Sequence, residues 1–246
     1  MTYLFEILKG AVKVALKQFN LYYIPGYGKM PLTMEGALSR CKSRGVNIST
    51  VIDVGASNGC WSEQCMQTLP HANFLLIEAQ EPHRADLEKF VSIHKSAEFI
   101  IAAAGNRQGK IYFDNGGLFS GLASEVPFAS NCIEVPVTTI DYEVKMRNLS
   151  PPFCIKLDTH GFEVPILEGA QETLKHTSLV IIETYNYKLT NDSLKYYQMN
   201  EYMERLGFSS IEIVDLMLRK KDNSFWQMDT FYIPSDSTEF MNNNFE

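Results

Sequence analysis

Four carboxylates and one histidine stand where apolar runs of this chain come to an end. Asp53 sits one residue inside the end of Val51–Val54, and Glu78 closes Phe74–Glu78. Asp158 closes Phe153–Asp158, with His160 two residues further on, and Glu183 lies near the end of Leu179–Thr184. Between Gly55 and Gly59 lie only Ala56, Ser57 and Asn58. Two glycines let a backbone turn sharply and approach a ligand where a Cβ would obstruct it. A loop of this kind opening a helix presents free N–H groups at the helix N-terminus.

Two details choose the ligand. The dinucleotide fingerprint G-x-G-x-x-G fails, because Ser57 and Cys60 occupy its second and third glycine positions. Asp53 suits a cofactor with a cationic amino-acid part better than one with a diphosphate. Glu78 lies at the spacing where a carboxylate accepts hydrogen bonds from both ribose hydroxyls. Asp53, the loop Gly55–Gly59 and Glu78 together fit S-adenosylmethionine. Ala104, in a small-residue stretch at a strand end, would let an adenine ring lie flat. In the second group, histidine is the side chain that titrates near neutrality, so His160 is the natural general base. Asp158 either orients it or joins Glu183 in holding a divalent cation such as Mg²⁺ or Mn²⁺.

These residues need strands to carry them. Val51–Val54 is β-branched, as strands of a parallel sheet buried on both faces are. Phe74–Glu78, Phe99–Ala104, Phe153–Asp158 and Leu179–Thr184 read as further central strands. Lys110–Asp114, Ile133–Thr138, Ile211–Leu218 and Asp229–Ile233 read as additional strands. Helices are expected over Met34–Gly45, Cys60–Leu69, Pro82–His94, Val164–Leu174 and Ser193–Leu206. The stretch Asn115–Asn131, long and rich in small residues, reads as a lid or a substrate loop. Ligands of open α/β sheets bind at the carboxyl ends of the strands, which is where all of these acids fall.

The N-terminal 45 residues read as a helical segment packed on a domain spanning 46–234, with 235–246 as a polar tail. Within residues 4–19, Lys9, Lys13 and Lys17 form a basic stripe beside an apolar face. That stripe reads as a solvated edge, with peripheral membrane contact as the alternative. At 246 residues, with 45% hydrophobic and 21% charged residues, the chain suits a single α/β domain. A net charge of −7 without a Lys/Arg run disfavours nucleic acid as a partner. The five cysteines form no C-x-x-C pair and read as reduced, buried thiols of a cytoplasmic protein. No stretch approaches the ~20 apolar residues of a membrane span.

The block IKLDTHGFEVPILEGA, from Ile155 to Ala170, is a recognisable pattern. With VIDVGASNGCWS, FLLIEAQEP, VPVTTID and VIIET, in that order along the chain, it resembles the FkbM-type family of S-adenosylmethionine-dependent methyltransferases. The resemblance runs from about Thr50 to Tyr185. It implies a Rossmann-like class I methyltransferase fold, a seven-stranded, mostly parallel sheet with one antiparallel strand and helices on both faces. It also implies methyl transfer to a hydroxyl oxygen, typically of a sugar or a polyketide-like product. Gly55–Gly59 would then hold the methionine part, Glu78 the ribose and the Ala103–Gly105 region the adenine. The family usually carries an acidic or amide residue where this chain has His160. The reading is a small-molecule or glycan O-methyltransferase. Alternatives are a nicotinamide-dependent oxidoreductase on a similar sheet, or a non-catalytic protein that binds S-adenosylmethionine.

Overall fold

The computed structural model describes residues 32–244. The helix expected over residues 4–19 and the irregular stretch 21–31 lie outside the described residues. Along the chain come α1 (Met34–Ser43), β1 (Thr50–Val54), α2 (Cys60–Thr68), β2 (Asn73–Glu78), α3 (Arg84–Ile93) and β3 (Ala97–Ile101). Then follow β4 (Ala103–Ala104), β5 (Gly109–Asp114), β6 (Leu122–Ser124), β7 (Cys132–Thr138), α4 (Ile140–Arg147) and β8 (Phe153–Leu157). The last elements are α5 (Glu163–Glu168), α6 (Gln171–Leu174), β9 (Thr177–Tyr185), α7 (Tyr196–Arg205), β10 (Phe208–Leu218) and β11 (Phe225–Pro234).

Seven strands form the main sheet in the order β10-β11-β9-β8-β1-β2-β3. β11 alone runs against the rest, antiparallel to both β9 and β10, as the resemblance implies. Alternation along each strand sends neighbours to opposite faces. Ile52, Val54, Leu75, Ile77, Ile155, Leu157, Val180 and Ile182 pack on one side, against Ile140, Ile166, Leu167, Met199 and Met203. Val51, Leu76, Cys154, Leu179 and Ile181 pack on the other, against α1, α2 and α3 through Leu38, Cys65 and Leu87. Burial on both faces is why the strands read as near-continuous apolar runs. α1 is tied to β10 by Arg40 and Arg44, whose guanidinium nitrogens lie 2.9 and 2.6 Å from Glu212 Oε1.

Three expected elements differ. Phe99–Ala104 is not one strand: after β3 the chain leaves the main sheet, and Ala103–Ala104 pairs with Val137 and Thr138. β4 thereby joins a second sheet of order β4-β7-β5-β6. In that sheet β6, within the stretch 115–131, folds back on Tyr112–Asp114. The helix expected over Val164–Leu174 is broken into α5 and α6 at Gly169. A Cβ there would stand 2.0 Å from the Gly105 carbonyl oxygen, so two backbones meet where the helix stops. α7 starts at Tyr196 rather than Ser193, because the Ser193 hydroxyl accepts from Leu189 and Thr190 N–H at 2.9 and 3.1 Å, in a turn.

All five cysteines are free. Cys41, Cys65 and Cys154 are buried as expected, but Cys60 is exposed and Cys132 half-buried. None of the described helices is long and apolar enough to cross a membrane.

Candidate active site

The first loop leaves β1 through Gly55, whose φ is +79°. A Cβ here would lie 2.1 Å from the Asp158 carbonyl oxygen, so only glycine lets β1 and β8 end side by side. Gly55 and Ala56 N–H donate to the Ile77 carbonyl, which binds the loop to β2. Ser57, at φ +52°, donates its N–H to Glu78 Oε2 at 2.7 Å, and Gln80 N–H donates to Glu78 Oε1 at 2.8 Å. Glu78 is thus fixed by two backbone donors, with a further lone pair left on each oxygen.

A cavity of about 430 Å³ opens at these strand ends, within the range of small-molecule sites. Gly55, Ser57, Asn58 and Glu78 form one wall, and Ala103, Ala104, Phe162 and Ile166 make another that is small and apolar. The glycine-bounded loop, a carboxylate with lone pairs to spare and an apolar wall thus meet around one cavity. Ala56 and Gly59 do not reach the cavity: Ala56 is buried in the core, and a Cβ on Gly59 would press on the Phe90 ring at 2.9 Å.

Asp53 also lies elsewhere than expected. Its side chain is 0% exposed, on the strand face opposite Val54, and accepts from Ser62 Oγ at 2.7 Å. The strand pleat, which sends Val54 to the cavity, turns Asp53 toward α2. Burial raises its pKa, opposed by Lys156, whose Nζ lies 3.9 Å from Oδ1.

The second group gathers on the far wall. Asp158, Thr159, His160, Glu183, Tyr185 and Gln227 all line the cavity. His160 has φ +54°, a left-handed conformation that is uncommon for a non-glycine residue. The turn around it is held by Glu163, whose Oε1 accepts from Gly161 N–H at 2.8 Å and Thr159 Oγ1 at 3.2 Å. His160 Nε2 stands 3.7 Å from Asp158 Oδ1 and 3.7 Å from Glu183 Oε2.

The two carboxyl groups are made unlike by their other neighbours. Lys156, 3% exposed and one residue inside the end of β8, donates to Asp158 Oδ2 at 2.9 Å. Burial works against the Asp158 charge, but the ammonium prevails and holds its pKa below the usual carboxylate value. Glu183 has no such cation. Tyr185 OH donates to its Oε2 and Gln227 Nε2 to its Oε1. Burial first, then the Asp158 charge, pushes the Glu183 pKa up to about 9. At neutral pH Asp158 is therefore ionised and Glu183 carries a proton. Asp158, His160 and Glu183 each offer one ligand atom within 4.8 Å of the others, so the pair expected as cation ligands gains His160 as a third donor.

Part of the long loop covers the cavity. Gln80 Nε2 donates to the Gly117 and Leu118 carbonyls at 3.2 and 2.8 Å, and His83 Nε2 donates to Leu118 O at 2.9 Å. Leu118 and Phe119 line the cavity, and the Phe119 ring lies 5.5 Å from that of His83. Sequence reasoning missed Lys156, Gln80, His83 and Gln227. A lone lysine in the apolar run Phe153–Leu157 was a usable signal. For Gln227 none existed, since only the β9–β11 register places it opposite Tyr185. Tyr187, just past β9, is stacked on Trp226 and lies under the Arg219 guanidinium.

Comparison with known proteins bears on the family and the fold. The model of the methyltransferase FkbM domain matches residues 53–210. No curated protein sequence matches the chain. A solved methyltransferase FkbM from Methylobacillus flagellatus is similar over 74% of this chain, with 16% identity and a TM-score of 0.52. The chain spans 43% of the length of that relative. A SAM-dependent methyltransferase from Aquifex aeolicus is similar over 82% of this chain and 90% of its own, with 12% identity and a TM-score of 0.44. At 16% identity the Methylobacillus structure speaks for the fold alone, and the family rests on the domain match across most of the chain. By that match, which spans residues 53–210, the chain belongs to the FkbM family of S-adenosylmethionine-dependent methyltransferases.

Proposed function

We propose that this protein methylates a hydroxyl oxygen of a small molecule, a sugar or a glycan, in the cytoplasm. The observation that carries the reading is His160 beside Asp158 on the wall of the same cavity that Gly55, Ser57 and Glu78 line. Gly55, Ser57 and Asn58 would hold the methionine part of S-adenosylmethionine, Glu78 the ribose, and Ala104 with Phe162 the adenine. When bound, the cofactor supplies a methyl group already activated for transfer. The protein must therefore orient an acceptor oxygen and remove its proton. His160 takes that proton, and Asp158, kept ionised by Lys156, faces the imidazolium that forms. No Lys or Arg lines the cavity among the described residues, which favours a neutral polyol over a phosphorylated acceptor.

The test begins with calorimetry using S-adenosylhomocysteine and, separately, NAD, followed by labelled cofactor over a panel of sugars and glycans. S-adenosylhomocysteine should bind in the micromolar range, NAD should not, and label should enter a hydroxyl-bearing acceptor. His160→Ala should lower turnover by roughly 10²–10⁴ and leave S-adenosylhomocysteine binding intact. Binding of NAD alone would point to an oxidoreductase, and cofactor binding without transfer to a binding protein. A divalent cation on Asp158, His160 and Glu183 is a second reading, favoured by their grouping within 4.8 Å. In that case EDTA stops the reaction and Mg²⁺ or Mn²⁺ restores it.

A further inference from the structure

Three successive apolar side chains at the end of β10 have no cover on either sheet face. Leu216, Met217 and Leu218 are 65%, 51% and 50% exposed. Alternation along a strand sends neighbours to opposite faces, so a run exposed throughout marks an arm that stands clear of the core. Single exposed apolar residues are ordinary, whereas a contiguous group marks an interaction surface. β11 returns along the arm, with Gln227 opposite Met217 and Phe225 opposite Leu218. The turn between them is closed on itself. Ser224 O accepts from Arg219 N–H at 2.7 Å, and Asp222 Oδ1 accepts from Ser224 N–H at 3.1 Å and from Arg219 Nε at 3.2 Å. Lys220 and Lys221, both exposed, are left with no ion-pair partner among the described residues.

We propose that this hairpin tip, Leu216–Lys221, docks the protein on an anionic lipid surface. Apolar side chains entering the headgroup boundary beside lysines are the pattern of an interfacial anchor. Arg219 is neutralised by Asp222, so the two lysines give the tip a net positive charge on a chain of net charge −7. That charge complements lipid phosphate. Behind the tip, the half-buried rings of Tyr187 and Trp226 stack with centroids 5.3 Å apart, and an apolar body with a polar tip suits headgroup depth. A second copy of this chain is a poorer occupant. Register shifts on both sides of Met217, and Asp215 at φ +52°, break the ladder that a partner strand would extend. The Asp215 N–H is also already given to Leu32 O at 3.5 Å. Gln227, opposite Met217, lines the cavity, so the arm rises from the cavity's rim. The inference stands apart from the methyltransferase reading, since neither the apolar run nor the lysines line the cavity.

The test is co-sedimentation of the full-length protein with vesicles of phosphatidylcholine, with and without phosphatidylglycerol. The parent should bind the vesicles that contain phosphatidylglycerol, less tightly as salt is raised, and should not sediment with phosphatidylcholine alone. Lys220→Ala with Lys221→Ala should weaken binding roughly 25-fold, about fivefold for each lysine at a charged surface. Leu216→Thr with Leu218→Thr should weaken it at least about tenfold through lost apolar burial. All four positions are exposed, so thermal unfolding of both double variants should match the parent. No binding by the parent, equal binding to the two kinds of vesicle, or parental binding in either double variant would overturn the proposal. So would a dimer in sedimentation equilibrium that Leu216→Thr with Leu218→Thr dissociates, which would give this face to a second copy.

Discussion

Replacing Lys156 by methionine removes the cation that two buried acids share. Its Nζ lies 2.9 Å from Asp158 Oδ2 and 3.9 Å from Asp53 Oδ1. At an effective dielectric of about 20 these distances correspond to attractions of roughly 6 and 4 kcal/mol before desolvation is counted. Asp53 has no access to water, and its Oδ1 has no hydrogen-bond donor. Lys156→Met therefore leaves an uncompensated buried charge, which costs about 3–5 kcal/mol, a large share of a domain's ~5–15 kcal/mol. The effect should depend on pH. In the parent, Lys156 holds Asp158 below its unfolded pKa, so that stabilisation is present above about pH 4 and fades as the pH falls. Without Lys156 both acids have raised pKa values. The loss should then be largest near pH 8 and shrink toward pH 5 as they take up protons. Urea unfolding followed by circular dichroism at both pH values measures this, with the slope m checking that unfolding stays two-state. Adding Asp53→Asn, which keeps an acceptor for Ser62, should recover about 2 kcal/mol in a double-mutant cycle. A Lys156→Met protein within about 1 kcal/mol of the parent near pH 8 would refute the reasoning.

Glu78→Ala removes the acceptor of Ser57 and Gln80 N–H, so S-adenosylhomocysteine binding should weaken by roughly 1–3 kcal/mol, read by calorimetry. Gln80→Ala with His83→Ala frees the Gly117 and Leu118 carbonyls. Hydrogen exchange across 115–121 should accelerate in that variant, and in the parent it should slow when S-adenosylhomocysteine is added. Glu183, with its pKa raised, favours the folded state most below its unfolded pKa of about 4.5, and this advantage is lost as the pH rises through about 9. Unfolding curves for Glu183→Gln should be flatter over that window, and a slope identical to the parent's would count against a protonated Glu183.

Features that depend on short stretches were readable in the residues. Val51–Val54, Phe74–Glu78 and Phe153–Leu157 are apolar and short because both sheet faces are covered, so their strand character is written locally. Gly55 and Gly59 adopt positive φ, a backbone need that a single residue type announces. Glu78, Asp158, His160 and Glu183 could be placed near one cavity, because carboxyl ends of parallel strands fall on one edge. Asp53 was not so placed, since standing near a strand end says nothing about the face on which a side chain emerges.

What the sequence by itself determined is the order of the central strands, the loop at Gly55–Gly59 and the ring of acids at strand ends. These follow from periodicity and from backbone limits within a few residues. The tertiary structure alone decided where elements break and which side chains share a charge. The α5–α6 break at Gly169 exists because Gly105, far off in sequence, brings its carbonyl there. The crossing of β4 into the second sheet needs Val137 and Thr138 as partners. The difference between Asp158 and Glu183 lies in Lys156 beside one, and in Tyr185 and Gln227 around the other. Charge and hydrogen bonding act across a few ångströms of space whatever the separation along the chain, so two carboxylates alike in sequence are held in opposite protonation states by the fold.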